Sequence, residues 1–98
     1  MSYQLIVRKD AEHDIAEAYV WYEDKRGGLG DEFVFCLDAC VSALIRNPFI
    51  YQKKYFEIRV GLIDRFPFAT YYLVKENKII IIAILHLSRN PKFWQKRK

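Results

Sequence analysis

The segment that most limits the fold of this chain is seven apolar residues without a break, Ile79 to Leu85, reading IIIIAIL. The run falls far short of the roughly 20 residues that cross a bilayer. It has the length of one strand, and a strand without polar alternation is covered on both faces. Directly before it, Lys75 to Lys78 holds a tight turn around Glu76-Asn77, where asparagine tolerates the left-handed backbone. Just past it come His86 and Arg89, delivered where a buried strand meets water.

The rest of the chain must supply the cover. After a short strand, YQLIVRK, with Tyr3, Leu5 and Val7 on one face, Ala11, Ile15, Ala18 and Tyr22 recur at helical spacing from about Asp10. Asp10 suits an N-cap, and Glu12 and Asp14 suit the positive end of the helix dipole. RGGLG breaks the helix. A second helix then runs from about Leu29 to Arg46 on the stripe Phe33, Cys36, Leu37, Cys40, Val41 and Leu44, and Asn47-Pro48 ends it. Two amphipathic helices with a short glycine break form an antiparallel hairpin. YFEIRVGLIDRF, FATYYLV and IIIIAILHL follow as a three-strand meander, rich in β-branched and aromatic residues. The expected fold is α+β, in the order β-α-α-β-β-β, with the helix hairpin packed on one face of a small, mainly antiparallel sheet.

Turn geometry gives a register. A two-residue turn at Glu76-Asn77 sets Tyr72 opposite Ile81 and Tyr71 opposite Ile82. A two-residue turn at Phe66-Pro67 sets Arg65 opposite Phe68 and Gly61 opposite Tyr72. One face then carries Ile58, Val60, Leu62, Ala69, Tyr71, Leu73, Ile80, Ile82 and Ile84, and this apolar face is expected beneath the helices. The other carries Arg59, Gly61, Ile63, Arg65, Phe68, Thr70, Tyr72, Ile81 and Ala83. Two helices cover one side of a small sheet, so this second face is open to water or covered by a partner.

With 98 residues the chain makes a single domain, residues 1–98, whose modest core buries roughly 60–65% of the unfolded surface. The start, MSYQLIVRKD, lacks a signal-peptide pattern, which points to a cytoplasmic protein. Cys36 and Cys40, spaced i, i+4 on one helix face, read as small buried hydrophobes rather than a disulfide or metal site. No metal cluster, phosphate loop or Ser/His/Asp set is apparent, so neither cofactor nor metal is expected. The net charge of +4 conceals a polarity: Asp10 to Glu32 holds eight acids and two bases, and Arg89 to Lys98 five bases and no acid. Such polarisation points to distinct surfaces, and the basic tail reads either as a contact for nucleic acid or an acidic partner or as a solvated terminus.

Several segments together carry a resemblance: AEHDIAEAYVWYED with GLGDEF, then RFPFATYYLV, then AILHLSRNPKFW. With them the chain resembles the RelE/ParE superfamily of bacterial toxin–antitoxin toxins, and within it the ParE-like, plasmid-stabilisation branch, over essentially its whole length. The resemblance implies a toxin neutralised by a cognate antitoxin lying along its surface. It also implies one of two targets: DNA gyrase for ParE-like members, or messenger RNA on the ribosome for RelE-like ones. Homodimers and toxin–antitoxin heterotetramers are both compatible with it.

A ribonuclease needs a proton-transfer group at the 2′-hydroxyl and cations for the developing phosphorane charge. Arg59, Arg65, His86 and Arg89 are the candidates for that chemistry, and Arg89 matches by position the arginine that follows the last strand in RelE-like nucleases. The arginine such nucleases often carry at the start of the strand after the turn is here Ala69 or Thr70, which weighs against cleavage. As target-binding residues the reading names Arg59, Arg65, Tyr72, Arg89 and Trp94, with Phe93 beside the last. The structural alternatives are a His86 bonded to backbone, an Arg59 and Arg65 paired with Asp64, Glu57 or the acidic first helix, and tyrosines that only pack the sheet. The favoured reading is a toxin that binds a macromolecular target, gyrase first. A ribosome-dependent endoribonuclease and an inactive antitoxin-binding module are the alternatives.

Overall fold

The computed structural model describes residues 3–89, so Phe93 and Trp94 lie outside the described residues. The helices follow the apolar periodicity closely: α1 is Lys9–Lys25 and α2 is Leu29–Arg46. Arg8, not Asp10, stands at the N-cap of α1, and Asp10 and Glu12 sit in its first turn. Gly28, in the left-handed conformation (φ 91°), caps α2 without a side chain of its own. The missing acceptor comes from α1: Glu23 Oε1 accepts the Gly30 N–H at 2.8 Å. The Gly28 N–H first, then those of Gly30 and Asp31 and the charge of Arg26, hold the Glu23 carboxyl below its usual value, against the opposing effect of desolvation. The helices touch closely here, since a Cβ on Gly30 would lie 2.7 Å from both the Tyr19 carbonyl and Glu23 Cγ. The Trp21-Tyr22-Glu23 and Gly28-Leu29-Gly30 steps are therefore two halves of one joint.

Five strands form one sheet: β1 (Gln4–Val7), β2 (Lys53–Tyr55), β3 (Ile58–Leu62), β4 (Phe68–Lys75) and β5 (Lys78–His86). Their order across the sheet is β1-β5-β4-β3-β2, with β1 parallel to β5 and the other pairs antiparallel. The α+β class and the helix pair on one face are as expected. The stretch read as one strand from Tyr55 is instead a hairpin, with Lys53–Tyr55 as an added edge strand that turns at Phe56 in the left-handed conformation (φ 55°).

Register corrects the sequence reading in two places. Tyr72 does face Ile81, and Lys75 faces Lys78 across the two-residue turn, but Glu76 takes the positive φ (56°) rather than Asn77. Tyr71 then faces Ala83, not Ile82, because a bulge leaves Ile82 as an extra residue. On the other side of β4, the Ile63 N–H donates to the Phe68 carbonyl at 2.9 Å, so the connection holds four residues, with Arg65 left-handed (φ 72°). Pro67 has no N–H to donate to a tighter ladder. Gly61 therefore pairs with Thr70, and Tyr72 pairs with Arg59.

The larger correction concerns which face the helices cover. The buried cluster shared with α1 and α2 contains Ile63, Tyr72, Ile79, Ile81 and Ile84, with Phe66 and Phe68 packed against it. Ile58, Ala69, Tyr71, Ile82, Ala83 and Leu85 form a separate buried cluster on the opposite face. The mixed face is the helix-covered one because each polar group on it finds a partner. Tyr72 OH donates to the Pro48 carbonyl at 2.8 Å, and Thr70 Oγ1 lies 3.7 Å from Cys40 Sγ. The bulge also changes parity along β5, so Ile79 and Ile81 face the helices before it and Ile84 and His86 after it. Both sheet faces carry buried residues, which accounts for the unbroken apolar run.

Candidate docking groove

Beyond the last β1–β5 pair, Val7 with Ile81, it is α1 that bonds to β5. Asp14, 5% exposed, accepts the Ile84 N–H on Oδ2 at 3.0 Å. This carboxylate holds the middle of α1 against β5. Beyond it, α1 and the ends of β4 and β5 enclose a groove of about 1080 Å³. Its floor is apolar, with Ala18, Tyr22, Phe68 and Ile84. Packing fixes that floor: the Tyr22 and Phe33 rings stack at 5.6 Å, and Phe33 meets Phe66 and Phe68 at 5.3 and 5.0 Å. Such ring contacts are directional as well as apolar.

The rim is more exposed. Val20 and Trp21 are each 56% exposed. The Trp21 ring stands edge-on to Tyr22 at 5.1 Å, with Lys25 Nζ 4.5 Å from its centroid. Glu17 and Asp24 line the α1 wall, and His86, Ser88 and Arg89 the opposite one. A large exposed aromatic beside an apolar floor with charged edges is the usual make-up of a protein-binding hot spot.

The basic candidates do not converge into one cluster. His86 and Arg89 share the groove wall. The His86 Nδ1 accepts the Ser88 N–H at 3.0 Å, its carbonyl accepts the Arg89 N–H at 3.0 Å, and its ring stands edge-on to Phe68 at 5.3 Å. An accepting Nδ1 leaves Nε2 to carry the proton of the neutral ring. Arg65 reaches Glu32 of α2 at 3.9 Å, so its partner is in the second helix rather than the first. Arg59 is bonded elsewhere: Nη1 donates to the Tyr51 carbonyl at 2.7 Å and the guanidinium lies 4.9 Å from the Phe49 ring. Arg59 pairs with Tyr72 and His86 with Phe68, four residues apart along β4. That offset is roughly 13 Å along the strand, with two inter-strand spacings of about 4.8 Å across it. Tyr72 has no exposed surface, so it cannot itself meet a partner or stack a base. Trp94 lies outside the described residues.

A family model for the ParE toxin of the type II toxin–antitoxin system parDE matches residues 5–91. The chain belongs to the ParE toxin family. A solved chain titled as the chromosomal ParDE TA system from P. aeruginosa has the same fold, with a TM-score of 0.77 at 21% identity, covering 87% of this chain and 96% of that one. No curated protein matches. Among the described residues, no helix of this ParE chain is long and apolar enough to cross a membrane.

The sequence reading missed the groove wall that α1 contributes to this ParE toxin. Asp14 looked like a residue suited to the helix dipole, while its contact is 70 positions away. Val20 and Trp21 did carry a signal. They are large apolar residues beside the buried stripe Ala11, Ala18 and Tyr22 rather than on it.

Proposed function

We propose that this chain is the toxin of a type II toxin–antitoxin pair, that it acts in the cytoplasm by binding a macromolecular target, and that a cognate antitoxin silences it from the α1–β5 groove. Family membership over residues 5–91 carries the first part. The groove supports the last: its apolar floor and exposed Trp21 fit an amphipathic segment of a protein partner. Gyrase is the target favoured by resemblance. The placement of Arg59 four residues along β4 from His86, with its guanidinium bonded to Tyr51, favours binding over RNA cleavage, since phosphoryl chemistry needs its groups converged on one phosphate.

The test is controlled expression in a bacterium, with and without the neighbouring antitoxin gene. Growth arrest with intact messages, DNA breaks and filamentation, relieved by the antitoxin, is the expected result. Cuts at fixed codon positions by primer extension would instead establish the endoribonuclease. Unimpaired growth with soluble protein would leave an inactive antitoxin-binding module.

A further inference from the structure

The loop after α2 presents two large apolar side chains to water, Phe49 at 56% and Ile50 at 52% exposure. It is not a loose loop. The Phe49 N–H donates to Asn47 Oδ1 at 3.2 Å, and the Ile50 N–H to the Asn47 carbonyl at 3.0 Å. The Pro48 carbonyl takes the buried Tyr72 hydroxyl at 2.8 Å, and the Tyr51 carbonyl takes Arg59 at 2.7 Å. The Tyr51 ring packs on Gly61, where a Cβ would come within 2.7 Å of it. Four hydrogen bonds and a packed ring therefore hold the pair in place before any partner arrives, and preorganisation of this kind lowers the ordering cost of association.

One cation is seated on the pair, and two more stand close to it in the fold order. Arg59 lies over Phe49, Lys53 faces Arg59 across the β2–β3 pair, and Arg46 ends α2. Glu57, the acid nearby, is paired with Lys53 at 2.6 Å. This corner differs in charge from the α1 wall of the groove, where Glu17 and Asp24 lie.

Resting on the reading of the chain as a binding toxin, we propose that the Phe49–Ile50 corner is its target-docking surface, and that the target offers an apolar pocket rimmed by carboxylates. A protein fits better than a nucleic acid. Ile50 has no ring to stack on a base, and Lys53 is engaged by Glu57 rather than held for phosphates. Arg59 uses one donor on Tyr51, and a guanidinium carries five, enough to reach a carboxylate on the partner.

The experiment compares wild type with Ile50→Glu and Phe49→Ser/Ile50→Ser in three assays: growth arrest on expression, binding of purified gyrase, and affinity for the cognate antitoxin. Both variants are expected to lose growth arrest, to bind gyrase at least about tenfold more weakly, and to hold the antitoxin as wild type does. Undiminished growth arrest in both variants would overturn the corner. Growth arrest lost by the variants while wild type fails to bind gyrase would overturn gyrase as the target and leave the corner standing. Tight wild-type binding of a labelled single-stranded oligonucleotide, abolished by Ile50→Glu, would overturn the protein assignment.

Discussion

The groove beside α1 and the corner beside β2 are built in opposite ways. The groove is a depression whose shape comes from aromatic packing, with Tyr22, Phe33, Phe66 and Phe68 in mutual ring contact beneath it. The corner is a half-exposed apolar pair whose position comes from hydrogen bonds, through Tyr72, Arg59 and Asn47. A surface made by the core cannot change without changing stability. A surface carried on a bonded loop can change its exposed side chains almost freely. Surfaces of these two kinds drift at different rates under mutation.

The sharpest way to break the comparison is Tyr22→Ala. It should cost about 3–5 kcal/mol, the range for buried aromatic truncations, and collapse the groove floor. Chemical denaturation measures it, and a loss under 1 kcal/mol would show that the floor is not a packed unit. Asp14→Ala comes next, at about 1–3 kcal/mol, because it strands the buried Ile84 N–H, while Asp14→Asn should recover most of the loss.

Tyr72→Phe should cost about 1 kcal/mol and soften the corner without touching the groove. It also has a pH signature. Burial chiefly, against the charge of Arg59, raises the Tyr72 phenol from 10.0 to about 12. The folded value lies above the unfolded one. Its contribution is therefore complete below pH 10 and lost as pH climbs through about 12. Denaturation midpoints at pH 8 and pH 11 should fall less in the phenylalanine variant. Some fall will remain, since burial raises Tyr22, Tyr51 and Tyr71 as well.

Trp21→Ala should move stability by less than about 0.5 kcal/mol, as at other exposed positions, while weakening antitoxin binding at least about tenfold by calorimetry. Equal antitoxin affinity would remove the groove as its seat. The smallest effect is at the helix joint. The Glu23 carboxyl is lowered in the fold, so its contribution holds above the usual value of 4.5 and fades as pH falls below it. Glu23→Gln should flatten that acid limb alone.

What the sequence made legible follows from how local each signal is. The bounds of α2, the glycine joint and the two-residue turn before β5 depend on residues a few positions apart, and all stand in the structure. The covered face does not depend on such residues. β4 and β5 are apolar on both sides, so hydrophobicity could not choose between Leu73 and Tyr72, and partners 24 and 70 positions distant decided it. The register of β3 turned on Arg65 adopting a backbone that arginine seldom takes, a choice no propensity announces. Ile84 was expected beneath the helices and lies there, through an inverted face and an unforeseen bulge, two errors that cancelled. For the site, Arg89 was legible as an edge residue, while the exposed Phe49–Ile50 pair drew no notice because it sits in what read as a helix stop.

The parallel pairing of β1 with β5 joins Gln4 to Lys78 and Val7 to Ile81. The two strands of that contact lie on either side of the helix hairpin in the chain, β1 before it and β5 after it. The helix hairpin, built from near neighbours, can close early, whereas the first strand has no neighbour until β5 is synthesised. The groove wall made by His86 and Arg89 arrives at the same late moment. A translation product that stops before β5 would therefore hold neither a finished sheet nor the groove wall opposite α1, so one late strand completes both.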